Sequence, residues 1–337
     1  MIWEESALNR EEQNYYLSST ADKTDVTSAI EEKLINFGVC MLGAGVFYVT
    51  GVKMPAGSSI IGVGNATKVV LSPEVTSGSA ITMNSYCTVK NLALLGAEEP
   101  ICLPSEVGTR HAILFEGNAR ETKAHADQPK HLIINDCFIT SFSGGGITCH
   151  NTGYSPSSSF TASNCHIWNS GAGIYIPYFS EYHEFTNILC TENLYGCINN
   201  GGNNVFVNCG FTSNKNGFFI DNSDGKANNQ AHGCAIGCTF NHTDSNKGIG
   251  ISVRGAKWGY VFSACQLHYS RVIVEDSTNI TFDSFTVGRE SSFEFRRGDL
   301  ATLNNCAFLC EPNITVEDTD KVKIINCFTY DGKEVSL

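Results

Sequence analysis

LIINDCF at residues 132–138, FTASNCHI at 160–167, NVFVNCGF at 204–211 and CAIGCTF at 234–240 are one phrase written four times. In each, a short run alternates apolar with variable residues and closes on a small residue and a cysteine. YVFSACQL (260–267), ATLNNCAF (301–308) and VKIINCF (322–328) continue it. The pivot column reads Cys137, Cys165, Cys190, Cys209, Cys238, Cys265, Phe285, Cys306 and Cys327. Such alternation is the period of a strand with one buried face.

A second strand follows each pivot, usually opened by glycine. It reads GITCH to His150, GIYIP to Pro177, GFFID to Asp221 and GISVR to Arg254, then VIVE to Glu275, FEFR to Arg296 and ITVE to Glu317. A fixed period of roughly 20–30 residues holding two or three short strands marks a solenoid. The expected fold is therefore all-β: a single-stranded, right-handed parallel β-helix of about ten coils, stacked at the ~4.8 Å inter-strand spacing.

Composition narrows the function. A net charge of −12 over 337 residues speaks against nucleic acid as a partner, because gripping phosphate takes concentrated Lys and Arg. No apolar run is long enough to span a membrane as a helix. The fifteen cysteines are odd in number, and most occupy the pivot column. They read as buried free thiols acting as small apolar residues, not as disulfides or zinc ligands. So many reduced thiols, and no basic-then-apolar signal segment, imply assembly in a reducing cytoplasm, with association with a virion as one destination. A trimmed N-terminus would instead fit a secreted protein.

Residues 1–37 read as a polar lead-in and a short capping helix. Asp25 or Thr27 is its N-cap, Val26, Ile30, Leu34 and Phe37 form one apolar face, and Gly38 ends it. Such a helix covers the open edge of the first coil. The solenoid occupies 38–337, with a loop insertion at about 96–130 that contains the strand HAILFE.

The opening of the solenoid resembles that of the pectate-lyase-like superfamily, which includes many phage tailspikes. The residues that carry the likeness are Gly45-Val46-Phe47-Tyr48-Val49, Met54-Pro55-Ala56-Gly57 and Ile61-Gly62-Val63-Gly64-Asn65-Ala66-Thr67. The resemblance implies the β-helix fold, a polysaccharide partner and a parallel homotrimer. The outward middle positions of the second strand, Leu114, Thr148, Tyr175, Ile198, Phe219, Ser252 and Ile273, form an apolar patch to be covered by the chain's own loops or buried between such subunits.

Two columns read as structural. Arg254, Glu275, Arg296 and Glu317 recur at a constant interval and form an ion-pair ladder. Asp136, Asn164, Asn208, Asn305 and Asn326 precede the cysteines and form a turn ladder.

The chemistry-bearing residues fall in two polar clusters. One holds Tyr175, Tyr178, Glu181, Tyr182, His183 and Glu184; the other holds Asp221, Asp224, Lys226, His232 and His242. Asp221, Asp224, Glu181, Glu184 and His232 are the acid–base candidates. Tyr175, Tyr178, Tyr182, His183, His150 and Lys226 are the sugar-binding candidates, with His166 and Trp168 as weaker ones. Of the motif set of the polygalacturonases, only Asn222-Ser223-Asp224 and an echo in His232-Gly233 are present. No metal site or cofactor is expected, apart from a calcium ion if the protein is a lyase. Three functions stand open: a tail protein that binds and cleaves a cell-surface polysaccharide, a non-catalytic structural or adhesive solenoid, and a secreted polysaccharide lyase or glycoside hydrolase.

Overall fold

The computed structural model describes residues 12–19, 22–117, 131–151, 160–177, 180–222, 231–241, 248–298 and 300–337. Strands of successive repeats stack parallel and in register. In the first sheet one inward column runs Ala162, Phe185, Phe206, Ala235, Phe262 and Phe282. The second sheet holds eleven strands among the described residues, from Val52–Lys53 to Ile314–Val316, in unbroken chain order. The interior between the sheets is aromatic: Phe185 stacks on Phe206 at 4.7 Å and Phe262 on Phe282 at 5.2 Å. Where Ala235 interrupts the phenylalanines, the buried ring of Tyr260 lies 4.8 Å from Phe262.

The Asn-Cys phrase has a backbone cause. Each coil bends within the first sheet at one residue in the left-handed region, such as Asp136 (φ 53°), Asn164 (54°), Asn208 (52°), Asn305 (54°) and Asn326 (51°). Asn and Asp tolerate that conformation best among non-glycine residues. The next side chain turns inward, where Cys fills a small apolar space. The cysteine thiols donate to backbone carbonyls of the coil wall, Cys209 to Phe185 at 3.4 Å, Cys238 to Phe206 at 3.5 Å, Cys265 to Ala235 at 3.4 Å and Cys327 to Leu303 at 3.5 Å. All fifteen cysteines are free. Burial pushes the Cys40 thiol up to about 12, the state of a core residue and not of a nucleophile.

One member of the pivot column is corrected. Asn187 is the left-handed residue of its coil, so Ile188 takes the pivot and Cys190 pairs with Ile167 and Phe211 further along the strand. Aligning cysteines across that coil slips the register by two residues.

The turn ladder forms in part: Asn187 Nδ2 donates to Asn164 at 3.3 Å, and Asn164 Nδ2 to Asn135 at 3.2 Å. A buried ladder lies elsewhere. Asn214 Oδ1 accepts from the Asn193 backbone N–H (2.9 Å) and side chain (3.0 Å), and Asn193 Oδ1 accepts from the Ser170 N–H at 2.9 Å. These amides satisfy backbone groups that the bend leaves without strand partners.

Arg254, Glu275 and Arg296 occupy one register column, which Asp221 heads. Glu275 lies 3.3 Å from Arg254 and 3.9 Å from Arg296, and also pairs with Arg297, whose backbone N–H donates to Glu317 at 3.2 Å. The Arg254 contact has ion-pair distance without hydrogen-bond alignment.

The helix spans Thr27–Phe37, and Gly38 closes it in the left-handed conformation, donating its N–H to Leu34. The N-cap is Val26 and not the expected Asp25 or Thr27; Asp25, one residue before it, accepts from the Thr27 N–H (2.9 Å) and hydroxyl (2.6 Å). Val26, Ile30 and Leu34 are buried, but Phe37 is 47 % exposed and leaves the expected face. The outward column of the second sheet is also corrected: Thr148, Ser252 and Ile273 are buried, and Leu114, Tyr175, Ile198 and Phe219 are half-buried, so no open apolar patch runs along it.

Candidate functional site

Each coil leaves the second sheet through a turn before re-entering the first. Three such turns carry the site. Residues 180–183 follow the strand Ala172–Ile176, residues 200–203 follow Tyr195–Asn199, and His232 precedes Gly233–Ile236. From these, Glu181 Oε1 and His232 Nε2 approach to 3.8 Å. Gly202, on the coil between them, permits this: a Cβ there would collide with the His232 ring and lie 2.7 Å from Glu181 Oε1. Asn203 Nδ2 donates to the same carboxylate oxygen at 3.3 Å. Glu181 is 6 % exposed. Burial holds its carboxyl above the ordinary carboxylate range, while His232 and Asn203 pull it back. Beside His232, at 6.2 Å between ring centroids, lies Trp258, 66 % exposed. The grouping is thus a shielded acid, an imidazole and an open indole face.

The remaining candidates are placed as follows. Tyr182 adjoins the cluster and is 53 % exposed. Its neighbour His183 is corrected: it is buried against Phe115 and Phe160, bonded to the Ser180 hydroxyl at 2.7 Å and held by burial at about 3, so it binds no sugar. Glu184 lies on the outward face of the first sheet, 3.4 Å from the Thr186 hydroxyl. Asp221 heads the charge column, its N–H donating to Asn200 at 2.8 Å. The ring of Tyr175 stacks on His111 at 6.1 Å. His166 bonds to Thr191 and Trp168 to Glu192, on a strand away from these turns. Asn222 of the N-x-D echo is buried, with no partner for either amide atom, and presents nothing to solvent. Tyr178, Asp224, Lys226 and His242 lie outside the described residues, as does the side chain of His150.

No family model matches the chain, and no curated protein matches it. Solved structures do. The enzymatically active domain of bacteriophage CBA120 tailspike protein 2 aligns over 92 % of this chain and 45 % of its own, with TM-score 0.58 and 15 % identity. The A-module of Azotobacter vinelandii mannuronan C-5 epimerase AlgE4 aligns over 91 % of both chains, with TM-score 0.60 and 10 % identity. Tailspike gp49 of Acinetobacter baumannii bacteriophage Fri1, a capsular polysaccharide depolymerase, aligns over 94 % of this chain and 59 % of its own, with TM-score 0.53 and 13 % identity.

The fold is a parallel β-helix, shared with these structures.

This β-helix spans about half the length of the tailspike chains it matches. Among the described residues no three His, Cys, Asp or Glu side chains are grouped to hold a metal ion. Sequence reading named Glu181 and His232 but in separate clusters, and it missed Trp258, Asn203 and Gly202. A signal for Trp258 was present, since a tryptophan in the glycine-flanked turn Gly255–Gly259 has no core to fill.

Proposed function

We propose that this β-helix binds a polysaccharide at the turns carrying Glu181, His232 and Trp258, and that the acid and the imidazole act on its glycosidic linkage. One observation carries this: a nearly buried carboxyl with a raised pKa, an imidazole 3.8 Å away and an open indole share one surface of the solenoid. An aromatic face stacks on the apolar face of a sugar ring. A carboxyl still protonated above its usual range can hand its proton to the leaving oxygen of the glycosidic bond, while a water takes that oxygen's place on the sugar carbon and gives its proton to the neighbouring imidazole. The tailspikes and the mannuronan epimerase module among the structural neighbours support a carbohydrate partner. We extend the same reading to a virion-associated tail protein that assembles as a homotrimer; the likeness to tailspikes supports it, and light scattering on the purified chain tests it.

The enclosure of Glu181 supports a second reading, of binding without cleavage. Incubation with capsular polysaccharides, polymannuronate and polygalacturonate, followed for bound polymer, new reducing ends and unsaturated uronide absorbance, decides between the two. Binding with new ends supports the first, binding without them the second, and no binding removes both.

A further inference from the structure

We infer that the exposed pair Tyr86 and His131 is a distal sugar-binding subsite, so that an extended polysaccharide lies along the solenoid axis. This rests on the polysaccharide reading above. The two rings stack at 5.4 Å with 28° between planes, and Tyr86 is 58 % exposed. Their distance in sequence conceals their relation to the site. Thr88 pairs with Ile133, which sets Tyr86 beside His131. Leu132 pairs with Phe160, and Thr161 with Glu184, which sets Tyr182 at the same position two coils on. Glu184 pairs with Val205, and Val205 with Cys234, which sets His232 there two coils further. Tyr86, His131, Tyr182 and His232 therefore share one row along the molecule. Five coil steps separate its ends, on the order of 24 Å at the ~4.8 Å spacing of strands.

The residue types in this row are not what folding alone selects. Except at His232 the position is a corner with left-handed backbone, and three other coils fill it with Asn203 (φ 52°), Gly259 (90°) and Asn279 (58°). Those residues adopt the conformation at little cost, whereas a bulky side chain there is an outlier. Tyr86 (φ 61°) and Tyr182 (64°) accept that cost, and with His131 (54°), a residue type tolerated there, they present rings to solvent. Costly backbone conformations persist where a function uses them. A small sugar would occupy only the end at Glu181. A row of rings of this length suits a linear polymer, whose units recur along a line.

The test uses the full chain with polymannuronate, polygalacturonate and capsular polysaccharide, each as long polymer and as tetrasaccharide. The double variant Tyr86→Asn, His131→Asn suits the left-handed corner and preserves the fold, checked by its thermal midpoint. It is expected to bind the long polymer about fivefold more weakly and the tetrasaccharide unchanged, while Trp258→Ala weakens both. If the double variant binds long polymer like the wild type while Trp258→Ala does not, the distal subsite is overturned and the site at Glu181 stands. If the wild type binds no polymer, the polysaccharide reading falls and the subsite with it.

Discussion

Glu181 Oε1 stands 3.8 Å from His232 Nε2, although the two residues come from turns two coils apart. Only stacking in register places them together, with Gly202 on the intervening coil offering no side chain to part them. Their coupling sets the expected pH behaviour. Burial raises the Glu181 pKa and His232 opposes the rise. Glu181→Gln should lower turnover by about 10²–10⁴-fold while polymer binding persists. His232→Ala removes the opposing charge, so Glu181 stays protonated to higher pH. The alkaline limb of the pH–rate profile should then move upward, and a limb unmoved by this change would show that Glu181 is not the acid.

Trp258 is expected to matter for binding alone. Its ring is largely open to solvent, so Trp258→Ala should leave the denaturation midpoint within about 0.5 kcal/mol. The same change should weaken polymer affinity by roughly fivefold, as loss of one stacking face does. Retention on immobilised polymer alongside a denaturant titration separates the two effects.

His183 makes stability depend on pH. Burial holds its folded-state pKa at about 3, below the ordinary ~6.5 of an unfolded histidine. The stability this contributes is fully present above the unfolded value. It is lost as pH falls from there towards 3, at up to about 1.4 kcal/mol per pH unit, because the unfolded chain takes up a proton that the folded chain refuses. Urea titrations between pH 7 and 4 should show this slope, and His183→Phe should flatten it.

Glu275 joins three arginines, and its side chain is only 15 % exposed. Glu275→Ala should cost about 1–3 kcal/mol, more than an isolated surface ion pair, because Arg254, Arg296 and Arg297 lose a shared partner. A double-mutant cycle with Arg254→Ala measures how much of that passes through one contact.

The buried amide ladder should be less forgiving. Asn214→Ala leaves the buried N–H of Asn193 without an acceptor and the Asn193 side-chain amide with only the Ile167 carbonyl, at a cost of about 2 kcal/mol. Chemical denaturation of this variant beside Asn305→Ala, whose bonds lie at the surface, checks the contrast.

Much of the fold was legible because every coil writes the same inward residues. The column Arg254, Glu275 and Arg296 could be read from its constant interval, and the register bears it out. Cys190 misled because it sits two residues past the pivot, in register with Ile167 and Phe211, while its residue type imitates the column. Asn193 and Asn214 were passed over because asparagine also fills solvent turns, and nothing local tells a buried amide from an exposed one. His183 read as a sugar ligand for the same reason, since its burial depends on Phe115, which lies far away in sequence. Glu181 and His232 were each visible as polar turn residues, but their meeting depends on counting coils across turns of unequal length.

The most direct test of the account is a crystal structure of the chain with an oligosaccharide from whichever polymer it retains. The account predicts a sugar ring against Trp258, its linkage oxygen beside Glu181 and His232, and the chain running toward Tyr182. A sugar seated on another face of the solenoid, with the surroundings of Glu181 and His232 unchanged, would contradict it.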